Sequence, residues 1–486
     1  MGVTEAFRQA LAAIVGPNGV VSTPEGRLTY ECDMHTFHKG APDVVVLPRS
    51  AEQAAEVVRM CRAARVPVVP RGSGTGLIGG AMAPLGGVMV STTRMNRILS
   101  LDVANRCATV EPGLINLWLS QAALPHRLFF APDPSSQMVS SIGGNASTNA
   151  GGPHCLKYGI TVNHVLGLQL VTGAGELVWL GGRPHEGPGY DLTGVVVGAE
   201  GTLGLLTAIA VRLLPIPEAV KTLLASFSAI EDASEAVSAI IAEGIIPAAL
   251  EMLDEVMIRA IEEGVQAGYP KGAGAVLLIE LDGPLAEIEA QGRRVEGICR
   301  ERLALEVRVA RDEEERALLW KGRKEAAGAV GRLAPNWFLQ DAVVPRSRLP
   351  EIMRTMLAIA RRHGIVLANV FHAGDGNLHP LILYDDRNPD ELARAQQVNE
   401  ELLHACIALG GSVSGEHGIG VDKMKSLPLQ FAPADLDFMA RLRRAFDPDG
   451  IMNPGKILPS RPACGEALRP GAPAAAIRPL PTGTWI

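Results

Sequence analysis

Hydrophobic and polar positions along this chain fall into short blocks that switch between the two-residue period of a strand and the longer period of a helix. Residues 4 to 15 read as a short amphipathic helix, and 30 to 40 as a loop whose His35 and His38 are expected at the surface. Asp43 to Leu47 is a buried strand, Ser50 opens a helix that runs to Ala64, and Val66 to Pro70 is a second strand. Together they predict a β-α-β unit. A long apolar strand follows from Leu205 to Leu214.

Pro215 and Pro217 interrupt the pattern and mark a domain boundary. Beyond them the pattern predicts a strand at 222–227 and a helix at 231–243 with a capping box of Ser228 and Glu231. A strand near 246–252, an inserted helix, a strand at 276–281, a helix at 285–302 and a strand at 305–309 complete a β-α-β-β-α-β, ferredoxin-like order. The order repeats as strand 339–344, helix 349–363, strands 365–372 and 379–384, helix 390–409 and strand 411–415. Residues 433–446 form a last helix. The expected domains are a lead-in over 1–39, one domain over 40–217, a second over 218–459, and a Pro- and Ala-rich tail over 460–486 that is expected to be disordered.

Four glycine-rich, low-charge loops occupy the first domain. Arg71-Gly72-Ser73-Gly74-Thr75-Gly76 continues to Gly80 and contains a literal G-x-G-x-x-G from Gly74 to Gly79. A dinucleotide fingerprint of the Rossmann type needs a helix next and an acidic residue about 20 positions on. Here Pro84 follows, and no Asp or Glu lies between Arg71 and Leu101. What remains is a run of backbone N–H groups without Cβ obstruction, suited to a pyrophosphate. The second loop holds Pro132, Asp133 and Ser136, and the third runs through Gly143, Gly144, Asn145, Asn149, Gly151 and Gly152. The fourth, Gly198 to Gly204, includes Glu200 and Gly201. Four such loops in one region suggest a long dinucleotide bound along its whole length.

In the second domain, His372 and His379 flank Ala373-Gly374-Asp375-Gly376. On a helix, seven positions would separate them by roughly 10 Å, too far to share a small ion. Two glycines and an Asp instead signal a turn, so a hairpin would make the imidazoles neighbours. A catalytic ion of the zinc type takes three protein ligands, and Gly415-Glu416-His417-Gly418 offers the third. Adjacent side chains on extended backbone point opposite ways, which favours Glu416 as ligand and His417 as a free base. The bland alternative is a pair of polar loops with glycines for turns.

Composition narrows the classes. The 486 residues are ample for two to four domains, and 53 glycines exceed the usual ~7%. A formal charge of −7 argues against nucleic acid as a partner. Seven cysteines without a Cys-x-x-Cys pair offer neither a disulfide framework nor an iron–sulfur site and point to a reducing compartment. The N-terminus carries Glu5 and Arg8 and no apolar run reaches ~18 residues free of charge, so neither a signal peptide nor direct membrane insertion is expected.

The loops Arg71 to Gly80, Pro132 to Gln137, Ser141 to Tyr158 and Gly198 to Gly204, followed by the His372 and Glu416 motifs, resemble the FAD-linked oxidase family with a vanillyl-alcohol-oxidase-type flavin domain. Within it the chain is most similar to catalytic flavin subunits of glycolate oxidase (glycolate dehydrogenase) type, and to D-lactate and D-2-hydroxyglutarate dehydrogenases. The resemblance covers nearly all of 40 to 459. It implies an α+β fold: a two-part, PCMH-type FAD-binding domain plus an α+β cap domain with an antiparallel sheet of ferredoxin-like units.

The resemblance also implies FAD held non-covalently by the four loops and Tyr158, a divalent metal on His372, His379 and Glu416, His417 as base, and Arg323 on the substrate carboxylate. A threonine and a lysine that grip a second carboxylate in the hydroxyglutarate enzymes align with Ala327 and Leu339, which favours a short 2-hydroxy acid such as glycolate or D-lactate. Asp447 to Lys456 resembles the family's closing turn, expected to return near the flavin. Companion flavin-like and iron–sulfur subunits are implied, with a cytoplasmic location peripheral to the inner membrane through them. Competing readings are an electron-transfer subunit without its own substrate site and a metal-dependent hydrolase.

Overall fold

A computed structural model describes residues 3–35, 38–182 and 189–459, so the tail expected over 460–486 lies outside the described residues. The chain divides into two compact units. One takes the residues up to Gly151, Ile160–Ile216 and those from His417 onward; the other takes Gly152–Gly159 and Pro217–Glu416. Residues 417–459, grouped by sequence with the second domain, thus belong with the N-terminal part of the chain.

In the first unit, Ser50 caps the helix Ala51–Ala64 through Gln53 N. That helix links the strands Val44–Val46 and Val68–Arg71, but they are not neighbours: Val88–Ser91 pairs in parallel with both and lies between them. The β-α-β unit is therefore real in order and split in space, because the glycine-rich loop returns the chain as an inserted middle strand. Val20–Val21 adds an antiparallel edge. A second sheet of five antiparallel strands runs in the order Ile98–Asp102, Cys107–Val110, Leu205–Arg212, Val165–Val171, Leu177–Gly181. Leu205–Arg212 is buried on both faces except at its last residue, which explains its unbroken apolar sequence. The C-terminal segment joins this unit through a parallel bridge between Val68 and Met452.

The second unit is built on one antiparallel sheet. Ala219–Phe227, Ile230–Ala242, Ala249–Asp254, Ala275–Gly283, Leu285–Glu301 and Ala304–Val309 follow the expected β-α-β-β-α-β order, with Glu255–Gly264 as the inserted helix. Their strands lie in the order fourth, first, third, second, as in a ferredoxin-like unit. The repeat supplies Asn336–Leu339, Leu349–His363, Val366–His372, Pro380–Tyr384 and Pro389–Ala408. The halves join where Ala249–Asp254 pairs with Val366–His372, so the two patterns share one continuous sheet.

Three local expectations fail for identifiable reasons. No side chain caps the helix at Ile230, and the Ser228 hydroxyl bonds Asp232 rather than closing a capping box with Glu231. The strand expected over 339–344 is broken into Asn336–Leu339 and Ala342–Val343, which pair with different partners. The strand expected over 411–415 shrinks to a bridge between Val343 and Ser412, because the amides of Gly415 and Glu416 are taken by the Asp341 carboxylate. Among the described residues no helix is long and apolar enough to cross a membrane.

Phe371 is fully buried at the joint, opposite Met252. Phe371→Ala is expected to cost about 3–5 kcal/mol, read as a lowered urea midpoint of the second unit. A loss below about 1 kcal/mol would show that the joint is not part of its cooperative core.

Candidate functional site

The second unit carries a face of buried charge. Helix Glu313–Lys324 presents Arg316, Leu319, Trp320 and Arg323 at the three-, four- and seven-residue spacing that puts them on one stripe. On the sheet, Glu280 receives Arg316 Nε and Nη2 at 2.9 and 3.0 Å, Trp320 Nε1 at 2.6 Å and the Thr222 hydroxyl at 2.8 Å. Burial works to raise Glu280, but hydrogen bonds from His154 and Arg316 and the Arg316 charge bring it down to about 2. One heptad along the stripe, Arg323 Nε donates to Glu251 Oε2 at 2.5 Å.

Glu251 stands directly across the sheet from His372, and its other oxygen is 2.7 Å from His372 Nδ1. Burial opposes charge on both groups. Nevertheless Arg323 and His372 hold Glu251 below the usual carboxylate range, while Glu251 and Glu416 hold His372 well above the usual imidazole range.

His372 ends its strand, pairs with Asn377 across the turn, and brings the His379 ring to 5.2 Å from its own. Asp375 shapes this turn by accepting from Asn377 N at 3.1 Å, and Gly376 is left-handed at φ 79°. Any Cβ at Gly376 would stand 2.2 Å from the Val344 carbonyl oxygen. Glu416 Oε1 completes the set at 3.2 Å from both His372 Nε2 and His379 Nε2. Asp341, fully buried, positions that segment: it accepts from Ser414 Oγ at 2.7 Å and from the amides of Gly415 and Glu416 at 3.0 and 3.1 Å.

Two ligands about 2.0–2.1 Å from one tetrahedral ion stand about 3.3 Å apart, so the 3.2 Å edges here have the size such an ion requires. His372 also has the carboxylate on its other ring nitrogen that usually backs a metal-bound imidazole. The three residues therefore fit a cation.

In the first unit the glycine-rich loops come together. Gly72 lies so near Ser141 that a Cβ would sit 2.4 Å from its hydroxyl, and Gly143 is held as closely against Pro112. Ser141 caps the helix Ile142–Thr148 through Gly144 N. Asn145 donates to Asn116, and Asn116 donates to the Pro132 carbonyl, at 2.9 and 2.8 Å, tying the third loop to the second. The fourth loop docks on the same helix through Gly198 N on Ala146 O and Glu200 N on Ser147 O, with Gly201 against Pro70 and Gly198 against Asn149. Ser73, Gly74, Thr75 and Gly76 are half-buried, as are Asp133 and Ser136. This close backbone packing, which side chains would fill, fits a long cofactor laid on main-chain amides.

Two charged residues in these loops turn inward. The Arg71 guanidinium donates to the carbonyls of Cys32 and Ala81 and lies over Tyr30. Glu200 accepts from the amides of Ile419 and Gly420 at 2.7 and 2.8 Å, and burial pushes it up to about 7. Lys456, fully buried, donates to Gly80 O, Met82 O and Asn453 Oδ1 at 2.8 Å each, and burial brings it down to about 7. Gly151 belongs to this unit, whereas Gly152 and Tyr158 fall in the second, where Tyr158 and Lys157 bond Asp282. His417 follows Glu416 in the chain and is counted with the first unit.

Sequence reasoning missed Glu251, Asp341 and Asn116, and it named Lys456 only as part of the closing turn. The sole signal was a Glu inside the apolar run Ala249-Leu-Glu-Met-Leu253. His35 and His38, expected at the surface, are instead largely enclosed, because Met34 N bonds Gly76 O and draws their segment onto the first glycine-rich loop.

Residues 42–181 match the family model described as FAD binding domain, and 216–457 match that of FAD linked oxidases, C-terminal domain. The chain is 45% identical to the glycolate oxidase subunit GlcD of Escherichia coli (strain K12), over 92% of this chain and 90% of that protein. It is 34% identical to the mitochondrial D-lactate dehydrogenase [cytochrome] of Arabidopsis thaliana, over 87% and 75%. Among solved structures, p-cresol methylhydroxylase with substrate bound superposes at a TM-score of 0.78 with 18% identity, covering 94% of this chain and 98% of that one. That likeness is one of fold.

The pair Glu251 and His372 predicts a pH dependence in protein held in chelator. The raised imidazole contributes fully below its unfolded value of about 6.5, and its contribution fades as pH climbs through the folded value. The lowered carboxylate contributes fully above about 4.3, and its contribution is lost as pH falls through the folded value. His372→Gln should therefore destabilise most near pH 5–6, with the difference shrinking as the medium turns alkaline. Urea midpoints across that range check it, and a pH-independent difference would overturn it. Glu251→Ala, which leaves Arg323 and His372 facing each other, should cost about 3–5 kcal/mol.

Proposed function

Because the chain belongs to the family of FAD-linked oxidases and carries both of its domains, we propose that it oxidises a small 2-hydroxy acid, glycolate or D-lactate, to the 2-oxo acid with FAD as acceptor. The protein is an FAD-dependent oxidoreductase. The observation that carries the substrate reading is the buried array in which Arg323, Glu251, His372, Glu416 and His379 follow one another within ion-pair distance.

Oxidation at an α-carbon takes a proton from oxygen and a hydride from carbon. Bound FAD supplies the hydride acceptor, a chemistry that side chains lack. His372, His379 and Glu416 would hold a divalent cation, which supplies positive charge beside the hydroxyl in the way that it lowers the pKa of water from about 16 to about 7. His417 accepts the hydroxyl proton at an imidazole nitrogen. Its support is the direct peptide link to the ligand Glu416 and the left-handed Gly418 that follows, at φ 92°. Arg323 orients the carboxylate: its Nε, fixed on Glu251, sets the guanidinium plane and leaves the edge of the two terminal nitrogens for two parallel hydrogen bonds.

Small size of the substrate is supported by Ala327 and Leu339, neither of which can grip a second carboxylate. Ala327 sits on the short helix Ala326–Ala329, and Leu339 packs against the apolar cluster. For reoxidation, the sequence holds no Cys-x-x-Cys pair, and among the described residues no cysteine joins a cluster of metal-ligating groups. Electrons would leave to oxygen, a quinone or companion flavin-like and iron–sulfur subunits, the last of which would hold the protein at the inner membrane.

His417→Ala should retain FAD while anaerobic flavin bleaching by glycolate or D-lactate slows by about 10²–10⁴. Near-normal bleaching would refute the base. Removal of divalent cations should abolish bleaching and leave the flavin bound, with activity restored when the cation is added back; unchanged bleaching in cation-free protein would refute the ligand set.

A further inference from the structure

We propose that His35, His38 and Asp422 of the first unit form a second divalent-cation site, separate from the His372, His379 and Glu416 set and independent of the reading of that set.

The three side chains offer two imidazole nitrogens and a carboxylate oxygen, all within 4.8 Å of one another. The His35 and His38 rings are 5.0 Å apart at 34°, and His35 Nε2 is 3.7 Å from Asp422 Oδ1. That last separation exceeds hydrogen-bond range, yet it is within a few tenths of an ångström of the ~3.3 Å between two ligands of one tetrahedral ion. His38 is 8% exposed and the His35 side chain 10%. Two enclosed imidazoles facing each other repel if both are charged, and a shared cation removes that conflict.

The backbone behind His35 and Asp422, and that of Gly40 beyond His38, is already held in place. On one side, His35 N donates to Asp33 Oδ1 at 2.9 Å, Met34 N to Gly76 O at 3.0 Å, and Gly40 N to Glu31 O at 2.7 Å. On the other, Val421 N and Asp422 N both donate to Ile78 O, at 2.9 and 3.3 Å. Both strands of chain are thus pinned to the loop 76–83, and little ordering remains to be done when an ion binds. Nitrogen-rich ligation selects zinc, cobalt(II) or nickel(II) over the oxygen-seeking magnesium and calcium. With three protein ligands, the site leaves one tetrahedral position for water. Bound only in the folded state, the ion would staple the N-terminal segment to the segment after His417 across that loop and so stabilise the first unit.

The test uses the full-length FAD-loaded protein with the other set removed, His372→Gln with His379→Gln, titrated with zinc by calorimetry and with cobalt(II) by visible absorption. The expected result is one cation per chain, a zinc-dependent rise in the melting temperature of the flavin-containing unit, and loss of both on adding His35→Gln and His38→Gln. Should that background misfold, His38→Gln alone in the parent chain lowers the bound cobalt by one equivalent with flavin absorbance unchanged. Absence of binding in a folded His372→Gln, His379→Gln protein, or binding that survives loss of His35 and His38, overturns the proposal. Failure of the other set would show in the opposite arm, as a parent chain whose single cation is lost only with His35 and His38.

Discussion

The second unit rests on the constraint that buried charge must alternate in sign. An isolated ionised group in a protein interior is prohibitively costly, and one that has lost its partner costs several kcal/mol. Arg323, Glu251, His372 and Glu416 satisfy the constraint in sequence, positive against negative, with links between 2.5 and 3.2 Å, and His379 and Asp341 continue the line at 3.2 and 3.6 Å. None of these links is local in the chain. Arg323 comes from a helix, Glu251 and His372 from paired strands of the two ferredoxin-like halves, and Glu416 from a segment that Asp341 holds out of the sheet. The junction of the halves is thus where the paired charges are assembled, because the register that pairs Glu251 with His372 is also the register that joins them.

The first unit meets a different requirement with different means. A long, polar cofactor is served by backbone, so the loops are glycine-rich and their charged residues are occupied in holding main chain. Arg71 clasps carbonyls behind the first loop, Glu200 clasps amides after His417, and Asn116 bridges two loops while contributing to neither. Lys456 is the extreme case: an ammonium with all three donors on oxygen atoms, in a place so enclosed that burial works against its charge.

Local periodicity made most elements legible. The two β-α-β-β-α-β runs, the helix Leu349–His363 and the hairpin that unites His372 with His379 follow from residues close together in the chain, where apolar spacing and turn chemistry act directly. What escaped was decided at long range. Glu251 reads as an oddity in an apolar strand until sheet register sets it opposite His372, and Asp341 looks like a loop residue until the amides of Gly415 and Glu416 arrive. His35 and His38 have the flanking sequence of a surface turn, and only the docking of Met34 on Gly76 encloses them. The missing strand at 411–415 has the same origin: Gly-Ser-Val-Ser-Gly offers a single apolar side chain, and a buried carboxylate takes the Gly415 and Glu416 amides that a ladder would need.

The first unit is discontinuous, and Lys456, Asn453 and Met452 lie near the end of the chain while the loops they brace lie near its beginning. During synthesis the sheet over 219–384 leaves the ribosome complete and free to fold, whereas the flavin loops, made earlier, must wait for the last residues before their backing exists. A nascent chain stalled short of Met452 would hold a finished cap and an unfinished cofactor cradle. The backing of those loops is thereby completed only after the rest of the fold has been made.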